Sequence, residues 1–454
     1  MKTNAELDIN SYIHPQSNLT AQEKLGPMIM TRGEGVHVYD DQENKYLDSV
    51  SGLWCVTLGY NNQAIKDAAT RQLDQLPFFQ TFANKSNNPT IELAAKLIEV
   101  APVPMSKVMF QNSGSEAIDT AIKLVWYYQN ARGKSQKKKI ISRHGSYHGT
   151  TIAAASLTGL PTMHAQFDLP IEGVIHTDNP NYYRFSEQDE TEIEFASRCI
   201  ENLEKQILHE GPETIAAFFA EPVMGTGGVI VPPETYFEKL QVVLKKYDIL
   251  LVADEVICGF GRSGNYWGCE TYNIKPDMIT CAKGLSSAYL PISALLISEG
   301  IYQAMKKGSD EVGIFGHGYT YSGHPVCAAV ALETLNQYDE LDTLNNIKKV
   351  SPSFQKGLRQ FKSHPLVGDV RGVGLMVSIE IVKDKKTKKS FDPTLMIGRK
   401  IEDAALSHGL ILRALGNNLV FAPPFIITQK EITKIIEIVG LALDEVYSWH
   451  EENS

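Results

Sequence analysis

Short apolar runs alternate with longer amphipathic stretches through the middle of this chain, and this alternation constrains the fold most strongly. The stretches between the runs have helical patterns, as in residues 116–132 and 234–247. Strands that alternate with helices form a mostly parallel sheet with both faces covered, so the pattern predicts an α/β domain. The predicted strands, rich in apolar residues as doubly buried strands should be, are 107–111, 139–142, 216–221, 249–254, 278–281 and 293–297.

The length of the chain predicts more than one domain. It has 454 residues, whereas a single hydrophobic core usually stops growing at about 250–300 residues. Residues 36–50 have the pattern of a strand pair, and the pattern after residue 330 is helix, strand pair and helix, ending in a long helix at 431–450. We therefore predict a large domain over 51–328 and a smaller α+β domain built from residues 1–50 and 329–454.

Composition excludes several classes of partner. A net charge of −10 argues against nucleic acid or an anionic membrane surface as the main partner. The first residues lack a basic segment followed by an apolar one, and no run of about 18 apolar residues occurs, so we expect neither a signal peptide nor a membrane span. The 6 cysteines have no repeated short spacing, which predicts reduced thiols in the cytoplasm and no metal site.

Residues 249–290 carry the most chemical information. One apolar run ends in Asp254, and the next leads to Lys283 just before Gly284. Ligands of open α/β sheets bind beyond the carboxyl ends of strands, and neighbouring strands lie about 4.8 Å apart, so both side chains could reach one aromatic ring. Pyridoxal phosphate requires such a pair, an amine for a Schiff base and a carboxylate that keeps the ring nitrogen protonated. A buried ion pair is the simpler alternative.

The segment QNSGSEA at residues 111–117 is a candidate phosphate site. Ser113 and Glu116 have the spacing of a capping box, which predicts a helix that runs on from Ser115. Gly114 allows close approach of the backbone, and a helix N-terminus offers free N–H groups to an anion. An ordinary capped helix is the alternative interpretation.

Four further residues lie where they could contact the same cofactor. Tyr147, in the motif HGSYHG, could stack on a pyridine face, and Val256, two residues beyond the acidic strand end, could pack on the other face. Glu221 ends a predicted strand and could orient cofactor groups, while Thr320 in YTYSGHP could donate a hydroxyl to phosphate. Each of the four could instead be an ordinary strand-end or loop residue without a chemical role. The order and spacing of all these motifs together are specific for a pyridoxal-phosphate site.

With these motifs in this order, the chain resembles the class III aminotransferases from GLWCVTLGY at 52–60 to ILRALGNNLVFAPPF at 411–425. The resemblance implies the fold type I architecture, an α/β fold whose large domain holds a mostly parallel seven-stranded sheet. It also implies pyridoxal 5'-phosphate as the cofactor. A homodimer or tetramer with active sites at the interface follows from it as well.

The resemblance also implies a role for each matched residue. Lys283 matches the Schiff-base lysine that carries the proton, and Asp254 matches the partner of the pyridine nitrogen. Tyr147 and Val256 match the two faces that enclose the ring. The residues that match phosphate contacts are Gly114, Ser115 and, from the partner subunit, Thr320 with Tyr319 beside it.

Within the family, the chain is most similar to the omega-amine and omega-amino acid:pyruvate aminotransferases. Trp54 and Phe82 match aromatic residues that narrow the substrate pocket, which Tyr147 also lines. Arg413 matches the mobile arginine that binds a substrate carboxylate and withdraws for an amine. Ala288 and Ser293 depart from the pattern, because family members often have glycine at these positions near the cofactor loop.

We therefore expect transfer of an amino group from a primary amine or omega-amino acid to pyruvate, giving L-alanine and an aldehyde or ketone. The first alternative is a class III enzyme of the ornithine or 4-aminobutyrate type that uses 2-oxoglutarate. An aminomutase or decarboxylase on the same fold is the second, and a cofactor-holding regulatory protein is the third. Small amines and keto acids are the expected ligands.

Overall fold

The computed structural model describes residues 2–453. Its strands are β1 Met30–Glu34, β2 His37–Asp40, β3 Lys45–Asp48, β4 Lys107–Gln111, β5 Lys139–Arg143, β6 Val174–Thr177, β7 Ile215–Ala220, β8 Leu250–Asp254, β9 Met278–Cys281, β10 Ser293–Ile297, β11 Val367–Val373, β12 Met376–Ile381, β13 Leu410–Ile411, β14 Arg413–Leu415 and β15 Asn418–Phe421.

The helices are α1 Asn4–Ser11, α2 Leu19–Leu25, α3 Ser51–Trp54, α4 Gln63–Gln75, α5 Asn88–Glu99, α6 Gly114–Ala131, α7 Ile152–Leu157, α8 Tyr182–Phe185, α9 Glu192–Glu210, α10 Tyr236–Lys246, α11 Gly268–Thr271, α12 Glu299–Val312, α13 Pro325–Glu340, α14 Thr343–Arg359, α15 Ile397–Ser407 and α16 Gln429–Glu452. Capping boxes begin α9 and α16, where Thr191 and Thr428 accept from the backbone three residues on. Within residues 2–453, no helix has both the length and the apolar character needed to cross a membrane.

A seven-stranded sheet in the order β4-β10-β9-β8-β7-β5-β6 forms the centre of the fold. The pairs from β9 through β8, β7 and β5 to β6 are parallel, whereas β10 runs antiparallel to both β9 and β4. The predicted α/β fold with a mostly parallel sheet is therefore confirmed. The predicted strands 216–221 and 249–254 are Ile215–Ala220 and Leu250–Asp254 in the structure.

Both faces of this sheet are covered, which explains the apolar runs. Every residue of β7 and β8 is buried. One face packs against α6, α7 and α12, with residues such as Ile118, Leu157 and Ile301. Strand residues such as Phe218 belong to a second hydrophobic cluster, which includes α9 and α10. Burying one such side chain contributes roughly 1.5–3 kcal/mol, so the two layers fix the sheet that presents the site.

The two chain ends meet in a second sheet of order β1-β2-β3-β13, where Leu410 and Ile411 pair in parallel with Leu47 and Asp48. A third sheet has the order β11-β12-β15-β14. The prediction of a helix, a strand pair and a helix after residue 330 contained too few elements. It missed β13, β14 and β15, which are too short to show an alternation of apolar and polar residues. The domain boundaries at residues 50 and 328 stay a prediction.

Candidate active site

A cavity of about 760 Å³ opens at the carboxyl ends of the parallel strands. Glu221 directly follows β7, Asp254 ends β8, and Lys283 lies two residues beyond β9. The structure thus brings together residues that are far apart in sequence. All the predicted site residues except Phe82 and Thr320 with its neighbour Tyr319 line this cavity, namely Trp54, Gly114, Ser115, Tyr147, Glu221, Asp254, Val256, Lys283 and Arg413.

The Asp254 carboxylate is held in one orientation by three donors. It is 3% exposed. Its Oδ2 lies 2.7 Å from Nδ1 of His148, and its Oδ1 accepts from the backbone N–H of Val256 at 3.1 Å and from Thr280 Oγ1 at 3.3 Å. A carboxylate fixed in this way is suited to pair with a protonated ring nitrogen.

His148 is the functional residue that the sequence reasoning passed over. It lies beside Tyr147 in the motif HGSYHG, but its contact with Asp254 spans 106 positions of the chain. Its Nε2 is buried and has no hydrogen-bond partner within residues 2–453. The neighbouring Tyr147, which follows a strand, was the one feature of the sequence that pointed to this segment. It did not show which side chain of the motif contacts Asp254.

Glu221 organises the wall beside this carboxylate. Its Oε1 accepts from the backbone N–H of Tyr147 at 3.0 Å, and its Oε2 accepts from the backbone N–H of Gly225 at 3.0 Å. Burial raises the pKa of Glu221. These bonds fix the backbone of the aromatic residue and the turn after β7, so Glu221 shapes the cavity wall as well as lining it.

Lys283 is presented by a strained turn. Its backbone has φ 46°, in the left-handed region that non-glycine residues rarely occupy. The next carbonyl, of Gly284, accepts from the hydroxyl of the buried Tyr338 at 2.5 Å. Burial lowers the pKa of the Lys283 amine, which increases the neutral, nucleophilic fraction near neutral pH.

The predicted phosphate site begins α6, with two corrections. Ser113 caps the helix by accepting from the backbone N–H of Glu116 at 3.2 Å. The Glu116 carboxylate, however, accepts from the backbone N–H of Asn112 at 2.6 Å, and not from Ser113. The helix also begins at Gly114, one residue before the predicted start. The capping box is wrong in its second half because Glu116 reaches one residue further back.

The glycine in this segment permits a close approach to the cavity. A Cβ on Gly114 would lie 3.2 Å from both methyl groups of Val256. Ser115 Oγ accepts from the backbone N–H of Thr150 at 3.0 Å, which leaves its own hydroxyl proton free to donate. An 18-residue helix therefore directs its N-terminal N–H groups at the cavity.

Pyridoxal phosphate fits this set of donors. An amine and a carboxylate come from neighbouring strand ends, a helix N-terminus with a small residue can hold a phosphate, and a half-buried tyrosine and a valine line the same cavity. A buried ion pair between Asp254 and Lys283 would be the structural alternative. The carboxylate instead bonds to His148, and no salt bridge joins the two residues in the described part of the chain.

Trp54 and Arg413 also line the cavity. Trp54 is 2% exposed and belongs to a buried cluster with Val223, Ile257 and Val420. Arg413 begins β14, and burial lowers the pKa of its guanidinium. Arginine remains charged at neutral pH despite such a shift.

Phe82 and Thr320 lie outside the cavity of their own chain. The Phe82 side chain is 47% exposed and packs beside Gly318, while Thr320 is exposed in the loop before α13. Hydrogen bonds tie this loop to the segment around Phe82, including one from Asn87 Nδ2 to the carbonyl of Gly323 at 3.0 Å. Their roles in the site stay predictions, since one chain does not bring them to it.

Known proteins share this architecture over nearly its whole length. Residues 19–443 match the model of the family Aminotransferase class-III. The omega transaminase from Pseudomonas jessenii, solved in complex with PMP, is 49% identical with a TM-score of 0.98 and 99% of each chain covered.

Relatives from plants carry transaminase names. Gamma aminobutyrate transaminase 3, chloroplastic, from Solanum lycopersicum is 50% identical over 94% of this chain and 82% of its own length. Vanillin aminotransferase from Capsicum chinense is 47% identical over 95% of this chain and 94% of its own length. A family match over most of the chain, on a fold shared with an omega transaminase, shows that the chain belongs to the class III aminotransferases, enzymes of fold type I that use pyridoxal phosphate.

Proposed function

We propose that the chain transfers the amino group of a primary amine or omega-amino acid to pyruvate, giving L-alanine and an aldehyde or ketone. One observation supports pyruvate over 2-oxoglutarate as the acceptor. Among the described residues that line the cavity, Arg413 is the single arginine. The site therefore offers one guanidinium, which suits the one carboxylate of pyruvate and leaves the second carboxylate of 2-oxoglutarate without an arginine. The name of the tomato relative is compatible on the donor side, because gamma-aminobutyrate is an omega-amino acid.

The residues that hold the cofactor and move the proton have distinct tasks in this reaction. When bound, pyridoxal phosphate withdraws electrons from the substrate carbon and carries the amino group between the two half-reactions. Lys283 holds the cofactor through its amine and, once released, moves the proton to and from the substrate carbon. Asp254, oriented by His148, keeps the ring nitrogen protonated. The phosphate is held by Gly114, Ser115 and the N-terminus of α6.

The acceptor is tested by steady-state assays with one aryl amine and either pyruvate or 2-oxoglutarate, with alanine and glutamate quantified separately. We expect alanine from pyruvate and little glutamate. Preferential glutamate would identify the 2-oxoglutarate type instead. A product that forms without any keto acid would identify an aminomutase or decarboxylase.

The Arg413→Ala variant is expected to lose the half-reactions with alanine and pyruvate while keeping that with a simple aryl amine. Removing one partner of a buried charge pair costs about 2–5 kcal/mol, or roughly 30-fold to several-thousand-fold in affinity. Stopped-flow measurement of each half-reaction provides the comparison. The control is Arg399→Ala, because the Arg399 side chain is 50% exposed on α15. Equal losses in the half-reactions with pyruvate and with the aryl amine would contradict the assignment of Arg413.

We also propose that two copies of the chain form the working unit. Phe78, Phe79, Phe82 and Tyr321 are 38%, 47%, 47% and 57% exposed around the loop that carries Thr320. Exposed aromatic residues clustered in this way are typical of protein–protein interfaces. If a second copy docks on this surface, Thr320 and Phe82 can reach the cavity of that copy. Such a position agrees with the resemblance, which implies that Thr320 contacts the phosphate bound by the other subunit.

Thr320→Ala is expected to weaken cofactor retention about tenfold, the effect of losing one hydrogen bond to a charged group. Because a ligand held across an interface stabilises the assembly, added pyridoxal phosphate should strengthen the wild-type dimer more than the variant dimer. Cofactor titration and analytical ultracentrifugation measure the two effects. Thr433→Ala, an exposed site on α16, serves as the control, and a fully active wild-type monomer would exclude the proposal.

A cytoplasmic location is proposed from the cysteines. All six are free, and four of them are buried, as is usual for proteins in reducing compartments. Curated plant relatives carry chloroplastic or mitochondrial names. Imaging of the full-length tagged protein distinguishes these compartments.

A further inference from the structure

A network of largely buried charges contacts the β14–β15 hairpin, which carries Arg413. Arg371, on β11, pairs through Nη1 with the carboxylates of Glu380 and Asp369. Glu380 also pairs with Arg184, on α8. The side chains of Arg371, Glu380 and Asp369 are only 11%, 5% and 12% exposed. The exposed Lys362 also pairs with Asp369 at 3.7 Å, so three cations surround the two carboxylates.

The remaining nitrogens of Arg371 reach two parts of the cavity wall. Its Nε donates to the carbonyl of Gly228 at 2.9 Å, in the turn after β7. Its Nη2 donates to Oδ1 of Asn418 at 2.8 Å, at the start of β15. One planar guanidinium thus joins the turn of one sheet to the hairpin of another, because its donors point in fixed, divergent directions.

The hairpin β14–β15 carries Arg413 on the face that Asn418 shares. Arg413 pairs with Val420 and Leu415 pairs with Asn418. Side chains of directly paired residues, and of residues two apart on a strand, lie on one face of a sheet. Arg413, Leu415 and Asn418 all line the cavity, so a bond that fixes Asn418 also fixes the face from which Arg413 extends.

The contact between turn and hairpin is close enough to require glycine. Gly228 has φ 109°, and a Cβ there would lie 2.8 Å from Cγ of Asn418 and 2.9 Å from Nη2 of Arg371. A side chain at residue 228 would therefore separate the two walls at the point where Arg371 joins them.

We propose that Arg371 is a positioning residue, which holds the β14–β15 hairpin against the turn at 225–229 and thereby sets how Arg413 meets a substrate carboxylate. This inference rests on the proposed function, because it assigns a carboxylate to Arg413. If the hairpin is freed, Arg413 is correctly placed for only a fraction of the time. The apparent affinity for carboxylate substrates is then multiplied by that fraction, whereas the affinity for amines without a carboxylate is unchanged.

The Arg371→Lys variant tests this inference because it keeps the positive charge but loses the guanidinium. A single ammonium cannot contact the two carboxylates, the Gly228 carbonyl and the Asn418 side chain at the same time. Stopped-flow traces of the holoenzyme give half-saturating concentrations for pyruvate, alanine and an aryl amine. We expect the first two to rise about tenfold, with the productive fraction falling to about one-tenth. The amine value and the limiting rates should stay within about twofold of wild type.

Two further variants separate positioning from general stability. Arg184→Lys perturbs the same ion network through Glu380 without touching the cavity wall, so its substrate ratio should stay at the wild-type value. Gly228→Ala separates the walls while leaving Arg371 in place, and it should raise the pyruvate value as Arg371→Lys does. It also provides the test if Arg371→Lys does not fold.

Equal changes for pyruvate and amine in Arg371→Lys and Gly228→Ala, or no change in either, would overturn the inference. Arg413→Ala run in parallel identifies which claim fails. If Arg413→Ala separates the two substrates and the positioning variants do not, the inference alone falls. If Arg413→Ala does not separate them, the carboxylate role of Arg413 falls, and the inference falls with it.

Discussion

Replacing Lys283 by alanine is expected to abolish amino transfer while leaving the fold intact. The variant loses both the amine that holds the cofactor and the carrier of the proton. Removing the nucleophile of other enzymes costs on the order of 10⁶-fold in rate, and a similar loss is expected here. The fold should survive because Lys283 faces the cavity and lies in a short turn beyond β9.

The measurement is keto product formed per chain, with thermal unfolding and circular dichroism as checks of folding. Lys275→Ala is the matched control, because Lys275 is exposed and lies just before β9, the strand that Lys283 follows. Borohydride should attach the cofactor to Lys283 in the wild type and in the control. A wild-type protein that stays colourless with added pyridoxal phosphate would refute this role for Lys283.

Asp254→Asn is expected to retain the cofactor but to slow proton abstraction by roughly 10²–10³-fold, the usual cost of removing one oriented electrostatic group. An amide is neutral and cannot hold the ring nitrogen protonated. The amide oxygen of the variant can still accept from Val256 and Thr280, and its NH2 group can donate to His148 Nδ1 in the other tautomer. The side chain should therefore stay in place, and the loss should appear in the rate and not in the fold.

Single-turnover kinetics with an amine measure this step. Glu255→Gln is the control, since Glu255 is the next residue and is fully buried. Its oxygens accept from the backbone N–H groups of Gly268 and Cys269, and it does not line the cavity. That variant should lose stability but keep its single-turnover rate, whereas near-normal rates in Asp254→Asn would remove the acid from the mechanism.

The sequence predicted what depends on neighbours along the chain. Strands β8 and β9 are continuous apolar runs, so their ends, and with them Asp254 and Lys283, could be located from the pattern. Strand β6 was missed because its four residues include a histidine and are mostly half-buried. Weak burial leaves little hydrophobic signal at the edge of a sheet.

What the sequence did not predict depends on contacts between distant segments. His148 bonds to Asp254 across the sheet, and Arg371 bonds to Gly228 and Asn418 across two layers. No spacing rule encodes such pairs. For Phe82 and Thr320 the limit is different, because the proposed site needs a second chain, and neither residue reaches the cavity of its own chain.

We propose that one pocket around Lys283 passes an amino group from an amine to pyruvate. The most direct test loads the purified holoenzyme with an aryl amine, removes the free amine, adds pyruvate and counts L-alanine. We predict about one L-alanine per chain, since the cofactor carries one amino group, and none from Lys283→Ala. Glutamate from 2-oxoglutarate with no alanine from pyruvate would contradict the claim.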